Sequence, residues 1–191
     1  MRKINKIYIT AAFFLLALIV TVVFFHFKNN NNDNNTFVSG FELSTVSVIP
    51  TDAIAVLHFN SINNSIDLLS DTSHMFPPLY PSSSPVGKLI NLSVSRGVSQ
   101  LTVSFHYSAK NEMSPLVILY FDSDSSFTLN SGNILRKMSA VKESSYNGVD
   151  IFAGGGMKYF KQGRMIVASN SLIILQSSIR HVKSGASIMD N

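Results

Sequence analysis

The feature that most constrains this chain is an uninterrupted apolar run near its start. Residues 7–27 read IYITAAFFLLALIVTVVFFHF and carry no charge unless His26 is protonated. As a helix at about 1.5 Å per residue the run would be roughly 32 Å long, which matches a bilayer core of about 30 Å. A soluble helix of that length would show a polar stripe, and none is present. The run therefore predicts a transmembrane anchor, represented by Ile7, Phe13, Leu16, Ile19, Phe24 and Phe27.

The rival interpretation of this run is a cleaved signal peptide. Signal peptides also start with basic residues, but their apolar region spans about 7–15 residues and is followed by a small-x-small cleavage site. The end of the present run, VVFFHFKNNN, contains no such pair of small residues. A retained signal anchor is favoured, and cleavage is the alternative.

The charges that flank the run predict its orientation. Residues 1–6 contain three basic side chains, whereas only Lys28 follows the run closely. The positive-inside rule then keeps residues 1–6 in the cytoplasm and exports everything after residue 28. The chain has no cysteine, so a lipoprotein signal and a disulfide framework are excluded. We expect a single-pass protein of the bacterial inner membrane that contacts the lipid bilayer through residues 7–27 and exports its C-terminal part to the periplasmic side.

Composition separates a polar tether from the folded part. The stretch KNNNNDNNTF begins at Lys28 and cannot bury enough apolar surface to offset its ordering entropy, so residues 28–45 are expected to be a solvated tether. The net charge is +4, and residues 1–36 contain four basic residues and one acidic residue. Only one net positive charge is left for the remainder, which shows no basic stripe with interleaved aromatic residues. Nucleic-acid binding is therefore not expected.

Residues 46–191 are expected to form an exported α+β domain with a largely antiparallel sheet and a few short helices. The apolar run Ala53–Phe59 predicts a strand, and Ile62, Ile66 and Leu69 recur at helical spacing. The next segment, HMFPPLYPSSSP, is predicted to be a loop, because its four prolines exclude a helix interior or a central strand.

Periodicity also predicts the remaining elements. Residues 100–107 alternate apolar and polar side chains as a half-buried strand would, and residues 115–121 form an apolar strand antiparallel to it. A short helix is expected over residues 131–140, with Ser131 as its cap. Turn pairs such as Asn147-Gly148 then separate short apolar runs, which predicts a meander through residue 176 and a last helix starting near Ser177.

One resemblance supports this organisation. The basic start, the single anchor, the polar tether, the segment IPTDAIAVLHFNS and the late segment SNSLIILQSSIRHVKSGAS together resemble uncharacterised bacterial envelope proteins that are grouped as a domain of unknown function. The resemblance implies that a strand after a Pro-x-Asp-Ala segment opens the exported domain. It implies no catalytic residues, since none is established for that family. Those proteins are longer, so this chain is expected to be an N-terminal fragment.

The best candidate for chemistry is a pair of carboxylates at a strand end. In LVILYFDSDSS the apolar strand leads into Asp122 and Asp124, which could hold Mg²⁺ or Mn²⁺ through oxygen ligands. The spacing is similar to that in nucleotide-sugar glycosyltransferases and haloacid-dehalogenase-like phosphatases. The further carboxylates, lysine and nucleotide-binding unit that those enzymes need are not visible, so a solvated acidic turn is favoured.

Other candidate residues indicate structure more than chemistry. The triple glycine 154–156 fits a hairpin bend better than a phosphate cradle, because no helix follows it. His58 and His106 lie on neighbouring predicted strands and could meet, although two structural histidines are favoured. The loop side chains Met75, Phe76, Leu79 and Tyr80 are the best candidate partner-binding surface.

The sequence therefore favours a non-enzymatic binding or scaffold module of the cell envelope, with no catalytic residue and no cofactor. Its expected partner is another envelope protein or a second copy of the chain. A metal-assisted hydrolase or transferase that uses Asp122 and Asp124 is the alternative, and a small-ligand-binding module is a third interpretation.

Overall fold

The computed structural model describes residues 43–62, 81–110 and 112–185. They form seven strands and four helices, and the first helix has only four residues. In chain order the elements are α1 (Leu43–Val46), β1 (Ala55–Phe59), α2 (Pro85–Val94), β2 (Gln100–Ala109), β3 (Glu112–Tyr120), α3 (Asp124–Lys137), β4 (Val141–Tyr146), β5 (Val149–Gly154), β6 (Met157–Gln162), β7 (Met165–Ser169) and α4 (Leu172–Ser184).

All seven strands belong to one antiparallel sheet in the order β1-β2-β3-β7-β6-β5-β4. The strands β2 and β3 form a long hairpin, and β4 to β7 form a meander whose last strand pairs with β3. The two edges are therefore β1, from the start of the domain, and β4, from its middle. The buried strands β3 and β7 lie at the centre, as their continuous apolar sequences require.

Successive side chains along each strand point to opposite faces of the sheet, and each face carries its own hydrophobic core. The first face carries Leu101, Val103, Val117, Leu119 and Ile166, all fully buried. The helices α2 and α3 cover it with their apolar sides, which include Leu89, Ile90, Ile134 and Leu135. These helices bury one side and expose the other, as amphipathic surface helices do.

The second face carries Leu116, Ile118, Phe160 and Val167. It is covered by α4, through Ile174, Leu175 and Ile179, and by residues 43–54, which we call the leading segment. Val48 and Ile49 of the leading segment are completely buried in this core, and the Ser178 hydroxyl of α4 donates a hydrogen bond to the Val48 carbonyl. Helices or chain segments thus cover both faces of the sheet.

The predicted fold class, α+β with a single N-terminal transmembrane helix, is wrong. The described residues form a seven-stranded antiparallel sheet with three longer helices, and no helix among them is long and apolar enough to cross a membrane. The longest, α3, has 14 residues and is about 21 Å long, which is short of a bilayer core of about 30 Å. Residues 7–27, on which the anchor was predicted, lie outside the described residues, as does the Asn-rich part of the tether.

Several element predictions are confirmed. The strand at the start of the domain, the antiparallel pair β2 and β3 and the meander of β4 to β7 are present. Asn147-Gly148 forms a turn with φ of 50° and 76°, and Gly155 and Gly156 make the bend between β5 and β6 with φ of 60° and 79°. Positive φ is the conformation that glycine and asparagine adopt most readily, so these turns follow directly from the sequence.

The helix predictions are less accurate. The structure contains α2, which was not predicted, because Pro85 occupies its first turn, where a proline is tolerated. Helix α3 starts seven residues earlier than expected, and its cap is Ser123 and not Ser131. Residues 172–176 were predicted to be a strand, yet they form the first part of α4, whose apolar run LIIL is buried only on the side that faces the sheet.

Candidate functional site

A concave surface of the described residues lies between the end of α3 and the strands β4 to β6 and forms a groove. It consists of two adjacent open depressions, of about 460 and 390 Å³, that share Phe152 and Lys161. The first depression is also lined by Gly132, Leu135, Arg136, Ser139, Ala140 and Val141. The second is also lined by Gly148, Val149 and Asp150.

Local backbone geometry builds this groove. Helix α3 ends at Lys137, and the chain reverses at Ser139, which adopts a φ of 52°. The Ala140 amide then bonds to the Leu135 carbonyl at 2.8 Å, so β4 starts beside the last turn of the helix. A Cβ atom on Gly154 would lie 2.5 Å from the Ala140 backbone, and only glycine allows β5 to approach this close.

Lys161 is held in a defined position at the centre of the groove. Its Nζ donates to the Ser131 hydroxyl at 3.2 Å and lies 5.7 Å from the centroid of the Phe127 ring, a cation–π geometry. Both partners belong to α3, whereas Lys161 belongs to β6. The lysine therefore bridges helix and sheet, and it lines the groove together with the half-buried Phe152.

The groove has an excess of positive charge. No carboxylate lines the first depression, whereas Lys161 and Arg136 both do. Arg136 donates to the Asn133 amide oxygen at 2.8 Å, and neither cation forms an ion pair with another described residue. In the second depression Asp150 is neutralised by Lys142 at 2.8 Å. An anionic group would therefore find its best partners in the first depression.

The structure places the predicted carboxylate pair, Asp122 and Asp124, at the start of α3. Asp122 and Asp124 are exposed, and Asp124 occupies the first turn of α3, where a negative charge complements the helix dipole. Ser123 between them accepts the Ser126 amide, and the Asp122 backbone carbonyl accepts from Arg164. No group of three or more histidines and carboxylates with metal-binding geometry occurs among these residues. The two carboxylates therefore lie at an exposed helix start, and a metal site on them stays the alternative prediction.

The structure reveals a chain of hydrogen bonds that sequence analysis missed. Asp52 Oδ1 lies 3.0 Å from His106 Nδ1, and His106 Nε2 lies 2.9 Å from Ser104 Oγ. The order of groups matches the carboxylate, imidazole and hydroxyl of serine hydrolases. Ser104 and His106 are nevertheless completely buried on the second face, so no substrate carbonyl can reach the hydroxyl. These hydrogen bonds attach the leading segment to the sheet, and the three residues do not form a nucleophilic site.

His58 and His106, which the sequence placed on neighbouring strands, do not meet. His58 pairs in register with Thr102, and its Nδ1 lies 2.8 Å from the Thr102 hydroxyl. His106 stands four positions further along β2, which separates the two by roughly 13 Å. The favoured prediction of two structural histidines agrees with this arrangement.

The other predicted site residues lie outside the described part of the chain. They are the loop residues Met75, Phe76, Leu79 and Tyr80 and the anchor residues Ile7, Phe13, Leu16, Ile19, Phe24 and Phe27. Sequence analysis had no strong signal for the groove, because Arg136, Phe152 and Lys161 come from three different elements. The alternation of Tyr159 and Lys161 along β6 was the only hint that a lysine shares the face of a buried aromatic residue.

Comparisons with known proteins leave the geometry as the basis for function. No family model, no curated protein and no solved structure matches the chain.

Proposed function

We propose that the chain is a non-enzymatic binding or scaffold module of the bacterial cell envelope, with the groove between α3 and β4–β6 as its contact surface. The observation that carries this proposal is the open, cationic groove around Phe152 and Lys161. A shallow groove with positioned charges suits recognition, whereas an active site would need a set of reactive groups that converge on one point. The described residues contain no such set apart from the hydrogen-bonded Asp52, His106 and Ser104, whose hydroxyl is buried.

The proposed location rests on the sequence. Three basic residues precede the apolar residues 7–27, and this supports attachment to the inner membrane with residues 46–191 on the periplasmic side. The test is to express the chain with a C-terminal tag in a bacterium, separate the membranes and add protease to spheroplasts. A membrane-bound, full-length and digestible product is expected. A soluble periplasmic species that lacks about 28–36 residues would overturn attachment in favour of cleavage.

Site-specific photo-crosslinking tests the groove itself. Val141 is 69% exposed and lines the first depression, so a photoreactive residue at this position would touch whatever occupies the groove. The matched control position is Ile173 on α4, which is 61% exposed on the other side of the sheet. We expect one discrete adduct from position 141 and none of the same mass from position 173. Equal labelling from both positions would refute the groove as the contact surface.

The metal-assisted alternative has weaker support. Its two carboxylates are exposed on a helix N-terminus and have no third protein ligand nearby in the described residues. A micromolar Mn²⁺ site that disappears in Asp122→Ala would nevertheless revive it.

A further inference from the structure

We propose that two copies of this chain pair through the end of β2. Residues 107–109 of one copy lie antiparallel to the same residues of the second copy, across a two-fold axis at Ser108. This inference goes beyond the proposed function, because it names a second contact surface, separate from the groove, and commits to its occupant. It follows from the shape of the β2–β3 hairpin, the open edge of β2 and the charges on either side of that edge.

The β2–β3 hairpin extends beyond both of its neighbours in the sheet. Strand β1 pairs with β2 only as far as Phe105, and β7 pairs with β3 only from Leu116 onward. The hairpin itself continues to the pair of Ala109 and Glu112. Residues 106–109 and 112–115 therefore project from the sheet, and no described strand covers their outer edges.

The outer edge of β2 presents backbone groups at Tyr107. The Phe105 carbonyl points outward, since it accepts the Ile54 amide at 2.8 Å. Alternate residues of a strand direct their N–H and C=O to the same side, so those of Tyr107 point outward too. Pro115 lies opposite Phe105 in the hairpin, which agrees with this orientation because a proline has no N–H to donate to β2. In the described part of the chain, β1 and the segment before it give Tyr107 no backbone partner on that side.

The open edge is short, and its length selects the occupant. Ile54 closes it on the side of β1, and the pairing register shifts between Tyr107 and Ala109 just before the chain turns at Lys110. An extended peptide that ran on past this edge would collide with Ile54. A second copy of the hairpin turns back at its own Lys110 and so ends in front of Ile54. The edge therefore fits another hairpin of the same length better than a continuous strand.

Side chains along the proposed pairing are complementary in size. Three exposed apolar side chains lie at this end of the sheet, Tyr107 at 63%, Met113 at 60% and Ile54 at 49%. With the axis at Ser108, Tyr107 of one copy lies opposite the small Ala109 of the other, which leaves room for the ring over the second hairpin. The contact is smaller than the roughly 1,600 Å² of a standard interface, so we expect weak and reversible association.

Charge favours the same arrangement. In this register Lys110 of one copy lies level with His106 of the other, whose imidazole Nδ1 lies 3.0 Å from Asp52 Oδ1. Lys110 forms no ion pair with a described residue, and the Asp52 side chain is 63% exposed. Glu112 lies on β3, one strand further from the shared edge. The two-fold axis would therefore create two reciprocal contacts between Lys110 and Asp52.

Crosslinking of single-cysteine variants is a direct test, because the chain contains no cysteine of its own. Ala109→Cys places a thiol beside the axis and keeps the side chain small. The matched control is Leu129→Cys, at a position on α3 that is 70% exposed. Two full-length copies with different C-terminal tags are coexpressed in a bacterium, and the cells are treated with a short, membrane-permeant bis-maleimide.

We expect purification through one tag to recover the other tag, in a species of twice the monomer mass, from position 109 and not from position 129. Equal yields from the two positions would overturn the pairing, since they would indicate association through another part of the chain. Only monomer from position 109 would also overturn it.

Backbone variants test whether β2 itself pairs. In the Ala109→Cys background, Tyr107→Pro removes an N–H that the hairpin does not use, so the fold should remain intact while the crosslinked species is lost. Tyr107→Thr keeps the N–H but not the ring and should lower the yield about two- to fivefold. Unchanged urea unfolding shows that each variant is folded. A yield unaffected by Tyr107→Pro would overturn the strand pairing.

Charge reversal tests the register. Lys110→Glu and Asp52→Lys should each lower the yield about three- to tenfold, because each replaces two attractions by two repulsions. The double variant should recover the yield, since it restores both pairs with reversed signs. The two residues form no ion pair within one copy, so recovery must arise between copies. A double variant no better than the single variants would overturn the axis at Ser108.

These outcomes are distinguishable from failure of the proposed function. Crosslinking from Val141 decides the groove, whereas crosslinking from position 109 decides the hairpin. A hairpin dimer without a groove adduct keeps this inference and rejects the groove. A groove adduct without a hairpin dimer does the reverse.

Discussion

The two faces of the sheet reach the same degree of burial with different chemistry. On the first face the buried side chains of β2, β3 and β7 are all apolar. On the second face β2 contributes Thr102, Ser104 and His106, each with no exposed surface, and β7 contributes Ser169. These groups bond to one another, to His58, to Asp52 and to the backbone. The first face is held mainly by apolar burial, whereas the second combines apolar burial with a hydrogen-bond network that fixes the leading segment.

Truncation of a central residue on each face should have the largest effect. Leu119 faces the first core and Ile118 the second, and both are completely buried. Leu119→Ala and Ile118→Ala should each lower the free energy of unfolding by about 3 kcal/mol, because each leaves a cavity. The free energy of unfolding of each variant is measured by urea denaturation, monitored by circular dichroism. A much smaller cost on the second face would mean that its polar network, and not its apolar packing, carries the stability.

Removal of the imidazole should have the next largest effect. His106→Leu deprives the buried Ser104 hydroxyl of its partner, and an unsatisfied buried group costs about 1–3 kcal/mol. The double variant Ser104→Ala with His106→Leu should recover most of that loss, because no polar group is then left unpaired. Asp52→Asn should cost less than about 1 kcal/mol, since the Asp52 side chain is 63% exposed. If the double variant is no more stable than His106→Leu, the network contributes through packing alone.

Tyr159 provides a pH-dependent test of the first face. Burial raises the pKa of its hydroxyl above the ordinary value of about 10. The buried, protonated Tyr159 therefore contributes to the free energy of unfolding. This contribution is complete below about pH 10 and is lost as the pH rises above 10 toward the folded-state pKa. Tyr159→Phe should cost about 1 kcal/mol at neutral pH through the lost bond to the Gly154 carbonyl, and the variant should lose less stability above pH 10. Parallel pH profiles of the two proteins would contradict this.

A surface ion pair near the β4 edge should have the smallest effect. Lys158 pairs with Glu143, which is half exposed and sits at the irregular register between Lys142 and Ser144. Glu143→Gln should lower the free energy of unfolding by about 0.5 kcal/mol or less, and high salt should remove the difference. A loss above about 2 kcal/mol would show that the pair holds the edge strand in place.

The sequence predicts the first face better than the second. Alternation along residues 100–107 predicts that one side of the strand is solvated and the other buried. On the apolar side the prediction is correct for Leu101 and Val103, whereas Tyr107 at the end of the run is exposed. The polar side is in fact buried, because the leading segment and α4 cover it and satisfy its hydrogen bonds. Alternation of side chains with a period of two shows which side of a strand is polar. The polar side is exposed to solvent only when no other part of the chain packs on it.

Helices and site residues escaped prediction for related reasons. Pro85 was taken as part of a loop, although a proline in the first turn costs a helix nothing. The run LIIL of α4 looks like a strand because tertiary contacts, and not local periodicity, determine its state. The groove residues Arg136, Phe152 and Lys161 are brought together only by the α3-to-β4 reversal at Ser139, which no local sequence signal indicates.

The hydrogen bond between Ser178 and Val48 joins residues 130 positions apart, and it has a consequence for the order of assembly. The leading segment leaves the ribosome long before α4 is synthesised, so its packing on the second face cannot be completed before α4 has emerged. The β4–β7 meander, in contrast, contains only neighbouring strands and can close as soon as it emerges. The nascent domain therefore keeps one apolar surface uncovered until α4 has emerged, and during that interval a chaperone or a second nascent chain can reach Leu116 and Ile118.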